Sequence, residues 1–183
     1  MINKMEKVIR GFTLVFFLSL GMSATILAQD EGDIAVGVHG NYGTDIEKLG
    51  IGANGTYTLN ETMRVGADIT YWLIGDDEVG GFGGNNISIS YTYLEVNGNF
   101  NYIFYNENQL MAYGIGSLGI HYAKIEASIE GPGIDDASES ELGLGIGAGV
   151  EYNLDSVALF AEPRIFLSGF DQFSFMFGAR IGI

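Results

Sequence analysis

Cysteine is absent from the 183 residues, which removes disulfides, thiolate catalysis and cysteine-based metal sites together. Positive charge is scarce, with 8 lysines and arginines against 23 acidic residues and a formal net charge of -15. Nucleic acid and anionic headgroups are therefore poor partners. Histidine occurs only as His39 and His121, so imidazole chemistry has little to draw on. Long apolar runs are missing after the first two dozen residues, and none approaches the roughly 20 residues that a membrane-spanning helix needs. Any bilayer crossing would have to be made by strands. Two prolines stand against 28 glycines, and 47% of the chain is apolar. Aromatics and branched aliphatics are too plentiful for a disordered chain.

What is present begins with an export pattern. Lys4, Lys7 and Arg10 form a basic region, Phe12 to Leu20 an apolar core, and Ser23 to Ala28 a mostly small stretch, the order of a secretory signal peptide. Residues 1–28 are expected to be the leader and 29–183 the mature domain. The apolar core is too short for a retained helical anchor. Removing the leader leaves five basic and 22 acidic residues.

Beyond the leader, the chain alternates. From Phe173 to Ile183 the residues Phe173, Phe175, Phe177, Ala179, Ile181 and Ile183 oppose Ser174, Met176, Gly178, Arg180 and Gly182, a strand with one oily and one small or polar face. Similar patterns predict strands over Asp33–Tyr42, Leu49–Leu59, Met63–Ile74, Ile87–Phe104, Leu110–Tyr122, Leu142–Tyr152 and Val157–Leu167. In the strand from Leu110, the shared parity of Ser117 and His121 turns Leu118, Ile120 and Tyr122 outward. Pro163 costs its strand one ladder donor. Connections after the second, fourth and sixth strands are brief, whereas long polar stretches start at Gly75 and run from Lys124 to Glu141. Aromatics gather toward the strand ends, with Tyr71, Trp72, Tyr122, Phe166, Phe173 and Phe175 near the long loops and Tyr57, Phe100, Tyr102, Tyr113 and Tyr152 near the turns. Two interfacial girdles are expected. Together these features predict an all-β fold, a closed antiparallel up-and-down transmembrane β-barrel of about eight strands with apolar outer and polar inner faces. A soluble sandwich would have to hide about eight apolar faces between two sheets.

On these alternating segments and the final strand, the chain resembles the small OmpA and OmpX-type outer-membrane barrels and the porin-like or opacity-type barrel domains. The resemblance implies a bacterial outer-membrane protein with periplasmic termini, surrounded by outer-membrane lipid and inserted by the barrel-assembly machinery. In that family the last strand closes on an aromatic residue; this chain ends on Ile183.

The inner parity collects Arg64, Asp68, Glu95, Glu151, Glu162, Arg164 and Arg180. In an interior just wide enough for side chains to fill, such charges must pair. They are expected to form a luminal network that either locks the barrel or gates a narrow path. The inner glycines of the strand from Leu142 would leave room for arginines or water. Acidic loop residues (Asp45, Glu47, Asp76 to Glu78, Glu126, Glu130, Asp135, Asp136, Glu139 and Glu141) could hold divalent cations through oxygen ligands, although they lack the EF-hand spacing and equally make a solvated surface. No cofactor is expected. Lipid A deacylases of barrel type use a His-x-Ser arrangement, whereas His121 is followed by Tyr122 and Ala123, so the chain is not expected to be an enzyme. Gly114, Gly116 and Gly119 fit G-x-G-x-x-G but lie inside an alternating strand with no helix after it. The expected function is a non-enzymatic envelope-structural or surface-interaction role through acidic loops; the alternative is a narrow channel for small solutes, and a lipid-modifying barrel is a more distant one.

Overall fold

The computed structural model describes residues 31–80, 86–129, 137–167 and 171–183. They form strands β1 (Ile34–Gly43), β2 (Lys48–Asn60), β3 (Met63–Trp72), β4 (Asp76–Gly80), β5 (Asn86–Glu107), β6 (Leu110–Ile129), β7 (Ala137–Leu154), β8 (Val157–Phe166) and β9 (Gln172–Gly182). Each strand pairs antiparallel with its neighbours, β1 closes on β9, and β3 and β4 lie in succession along the same edge of β5. The nine segments thus build a closed wall of eight strands. Closure leaves no unpaired edge around the membrane-height wall, the condition for placing a sheet in hydrocarbon.

Side-chain parity decides the two faces of that wall. Leu144 and Ile146 are 55% and 57% exposed on the outside, with Leu118, Ile120 and Phe177 among the other exposed apolar residues. No second sheet covers them among the described residues. Inside, Arg64, Thr70, His121, Glu162 and Ser174 are fully buried. This is a globular protein's polarity turned inside out, and only a surrounding apolar solvent makes it stable.

Three connections on one rim are two-residue turns, at Glu61–Thr62, Asn108–Gln109 and Asp155–Ser156. Asn108 and Asp155 take positive φ values of 57° and 48° there, a conformation that short polar side chains tolerate. Asn60 accepts a hydrogen bond from the Thr62 amide at 3.0 Å, closing the third. Both described chain ends lie on this rim, since the Ile183 amide bonds the Ile34 carbonyl at 2.9 Å.

The opposite rim departs from the sequence reading. The stretch from Lys124 to Glu141 is mostly strand, because β6 continues to Ile129 and β7 starts at Ala137. Likewise the polar segment after Gly75 contains β4, paired with Asn86–Ser90 of β5. The β7 extension carries serines and glutamates from Ser138 to Glu141 in place of an oily face, so alternation of hydrophobicity vanishes there while backbone pairing persists. In β5 the pattern inverts: Ile89 and Tyr91 take the parity of inward-facing Tyr93, and Ser90 and Thr92 the outer one. Glu130, Asp135, Asp136 and Ser168 lie outside the described residues.

Three aromatics predicted for the girdles are luminal instead. Trp72, Tyr113 and Phe166 are 0%, 0% and 2% exposed, and each shares the parity of its strand's charged or polar inner residues. Tyr57, Tyr71, Phe100, Tyr102, Tyr152, Phe173 and Phe175 do face outward. Pro163 opens the β7–β8 ladder as expected from its missing donor: Gly147 pairs with Arg164 and Val150 with Ala161, and the step between is unpaired.

Candidate functional site

Residues on β3, β7, β8 and β9 meet across the lumen because each strand turns every second side chain inward. Arg64 Nη1 donates to Glu151 Oε2 at 3.1 Å. Arg180 Nη1 reaches the same oxygen at 2.7 Å, and its Nη2 donates to Glu162 Oε1 at 2.7 Å. Arg164 Nη2 takes the other Glu162 oxygen at 2.5 Å, and its Nη1 donates to Asp68 Oδ2 at 2.8 Å. The result is one chain of alternating charge, Arg64–Glu151–Arg180–Glu162–Arg164–Asp68, with three cations and three anions. All six are 3% exposed or less.

Neutral groups complete the chain. Tyr113 donates to Glu162 Oε1 at 2.7 Å, while Asn97 and Asn99 donate to the two oxygens of Asp68 at 3.0 and 2.6 Å. Arg180 Nε donates to Asn54 Oδ1 at 2.7 Å, and Asn54 in turn bonds His39, whose second ring nitrogen lies 3.0 Å from Thr70 Oγ1. The guanidinium of Arg180 lies 3.7 Å from the Phe160 ring centroid and that of Arg64 4.6 Å from that of Tyr113. These are cation–π distances.

The glycines of β7 explain how such bulk fits. A Cβ on Gly149 would meet the Tyr113 ring at 2.3 Å, one on Gly145 the Phe166 ring at 2.9 Å, one on Gly143 the His121 ring at 2.6 Å, and one on Gly147 the Arg164 Cγ at 3.0 Å. The predicted space is filled by three rings and one arginine. Tyr113 and Phe160 were not among the sequence candidates, and only the parity they share with Ser117 and Glu162 signals their position.

Glu95 stands apart. It is 1% exposed on the loop side of the lumen, opposite Thr70 on β3 and His121 on β6, and no arginine or lysine pairs with it among the described residues. Its neighbours are rings: Trp72 stacks on Tyr93 with centroids 6.0 Å apart, and His121 meets Phe166 edge-on at 4.9 Å.

Outside the barrel, Asp45 Oδ2 accepts from the Phe173 amide at 3.0 Å, and Lys124 pairs with Glu126. Among the described residues no three His, Asp or Glu side chains gather to hold a metal.

A closed eight-stranded wall with an apolar outer belt and a charged, filled interior defines a transmembrane β-barrel. The chain belongs to the outer membrane protein beta-barrel domain family, whose model matches residues 13–181. It is similar in fold to the N-terminal barrel of Pseudomonas aeruginosa OprF, with TM-score 0.55 and 13% identity over 85% of this chain and all of that one. Neisserial surface protein A gives 0.54 and 14%, covering 88% of this chain and 99% of that one. Ail, the attachment invasion locus protein of Yersinia pestis, gives 0.50 and 17%, covering 84% and 99%. No curated protein sequence matches the chain.

Proposed function

We propose that this outer-membrane barrel is a non-enzymatic, closed scaffold whose task lies in envelope structure and in surface contacts made by its acidic long-loop rim. The carrying observation is the six-member charge chain, which fills the turn-side lumen with bonded, desolvated side chains. Opening a path there means separating ion pairs whose partners would be left buried and uncompensated, at about 3–5 kcal/mol for each broken pair. In this reading residues 1–28 are a cleaved leader, the two-residue turns and both termini face the periplasm, and the extended β4–β7 sheet stands outside. Carboxylates on that sheet, including Glu126, Glu139 and Glu141, repel anionic surfaces and favour basic partners or bridging cations.

Planar-bilayer recording of refolded protein tests the closed lumen. The expected record is free of reproducible unitary conductance. Steady openings in the wild type that change size in Arg180→Met would establish a channel and overturn the scaffold reading. Protease accessibility in intact cells checks the orientation, with cleavage expected in the long connections and not at Asn108.

A further inference from the structure

We propose that the strand edge left open at the start of β7 takes up an extended, basic segment of a partner protein as one more antiparallel strand, with the outward orientation of the long-loop rim taken from the function proposed above. The wall closes at membrane height but not beyond it. β8 pairs with β7 as far as Phe166 opposite Gly145, and the Leu167 amide bonds the Leu144 carbonyl at 2.7 Å. β6 accompanies β7 further, to Ile125 opposite Ala137. From Ala137 to Glu141 the strand therefore has a neighbour on its β6 side and, among the described residues, none on the other. Ladder geometry fixes which groups that edge offers. In an antiparallel pair, residues two apart direct their N–H and C=O to the same side. Leu144 directs its carbonyl toward β8, so Ser140 and Ser138 direct theirs to the open side. Ala137 to Ser140 are all exposed. Edge groups of this kind are a template for strand addition.

The side chains along the edge select the partner. Glu139 and Glu141 are the register partners of Ala123 and His121, and they share the inner parity of His121. No cation pairs with either among the described residues. Ser138 and Ser140 take the other face, as does Lys124 opposite Ser138, and Lys124 is tied to Glu126. A strand laid beside β7 sets alternate side chains opposite Glu139 and Glu141. Lysine or arginine at those places forms cross-strand pairs of opposite charge, whereas acidic residues there repel. Opposite Ala137 the same face adjoins Ile125, which is 46% exposed, so an apolar side chain fits that position. A second copy of this chain is a poor occupant, because self-pairing of β7 about Ser140 sets Glu139 against Glu141.

The probe is a short synthetic peptide in which lysine alternates with threonine, added to refolded full-length protein in lipid nanodiscs. Anisotropy of the labelled peptide reports binding, and amide hydrogen exchange followed by NMR reports strand formation. Saturable binding is expected, with slowed exchange at the Ser138 and Ser140 amides. Glu139→Gln and Ser140→Pro should each weaken it several-fold. Ser140→Pro removes an N–H that faces the open side, where an edge strand tolerates proline, and the heat-induced gel-mobility shift confirms that each variant is folded. A peptide methylated on the backbone nitrogens that face β7 keeps its charge and is expected not to bind; with Glu139→Gln it decides the matter if Ser140→Pro fails to fold. Equal binding of the methylated peptide, or no binding of the parent peptide, would overturn the proposal: the first means that the acidic rim attracts charge without gaining a strand, the second that the edge takes no basic segment. Either result leaves the closed lumen standing, whereas steady conductance from a barrel that still binds the peptide would overturn the scaffold reading alone.

Discussion

The two halves of the lumen solve the problem of buried polarity differently. Toward the two-residue turns, every carboxylate is shared or pinned by arginines, and Arg180 alone touches Glu151, Glu162, Asn54 and Tyr113. Toward the long loops, the fully buried carboxylate Glu95 lies among Trp72, Tyr93, His121 and Phe166, with amides and hydroxyls in place of cations. Both halves are fully buried, so exposure does not separate them. The difference is the nature of the cross-lumen bond: ionic and multiply shared in one, neutral and sparse in the other. Removing a charge should therefore cost much in the first half and little in the second.

The largest effect is expected at Glu162, the member that accepts from Arg164, Arg180 and Tyr113 at once. Glu162→Gln keeps the shape but leaves two guanidiniums facing a neutral amide, and is expected to lower unfolding free energy by about 3–5 kcal/mol. Urea titration in lipid vesicles, scored by the fraction of heat-modifiable protein, measures it. Adding Arg180→Met to that background should cost less than the sum of the two single changes, because members of one network couple. Strict additivity would mean that the chain is a set of independent pairs.

Within the same half, position along the chain should grade the cost. Arg180 lies inside the series with an anion on each side, whereas Arg64 ends it, with one ion pair and its Nε and Nη2 unpartnered. Arg180→Met is expected to be the more destabilising in the same titration, by about 1–2 kcal/mol, roughly the value of one charge-assisted hydrogen bond. Gly149→Ala follows, since its Cβ would push into the Tyr113 ring that donates to Glu162. Overpacking of that kind costs about 1–3 kcal/mol. A smaller loss than for Gly143→Ala, which presses on His121 in the other half, would show the charge chain to be the softer of the two regions.

The contrast between halves was only partly legible beforehand. Period-two parity placed Arg64, Asp68, Glu95, Glu151, Glu162, Arg164 and Arg180 on inner faces, because a strand leaves no third direction for a side chain. Which acid meets which base was not legible. That depends on the stagger of strands around the closed wall, and β3 meets β7, β8 and β9 across the lumen rather than along the sheet. Trp72, Tyr113 and Phe166 were drawn to the girdles by their positions near strand ends, although parity with Asp68, Ser117 and Arg164 already turned them inward. Parity outweighs position because flipping one residue outward breaks the ladder. The early start of β5 is legible at Ile87, but the extensions of β6 and β7 are not, because outside hydrocarbon no oily outer face is required: Lys124 and Glu126 take the outer parity of β6, and Ser138, Glu139 and Ser140 pair as a strand without an amphipathic signature.

The smallest effect is expected at Glu95, and it is the sharpest test of the two-region picture. Glu95→Gln removes a carboxylate that no arginine pairs with among the described residues and substitutes an amide that can still accept from Gln172. Only hydrogen bonds from neutral donors such as Gln172 and Tyr93 are altered, so the loss should stay within about 1 kcal/mol, against several for Glu162→Gln in the same titration. If instead Glu95→Gln costs as much as Glu162→Gln, the field of the arginine chain reaches the loop-side half, and the lumen is one electrostatic unit rather than two.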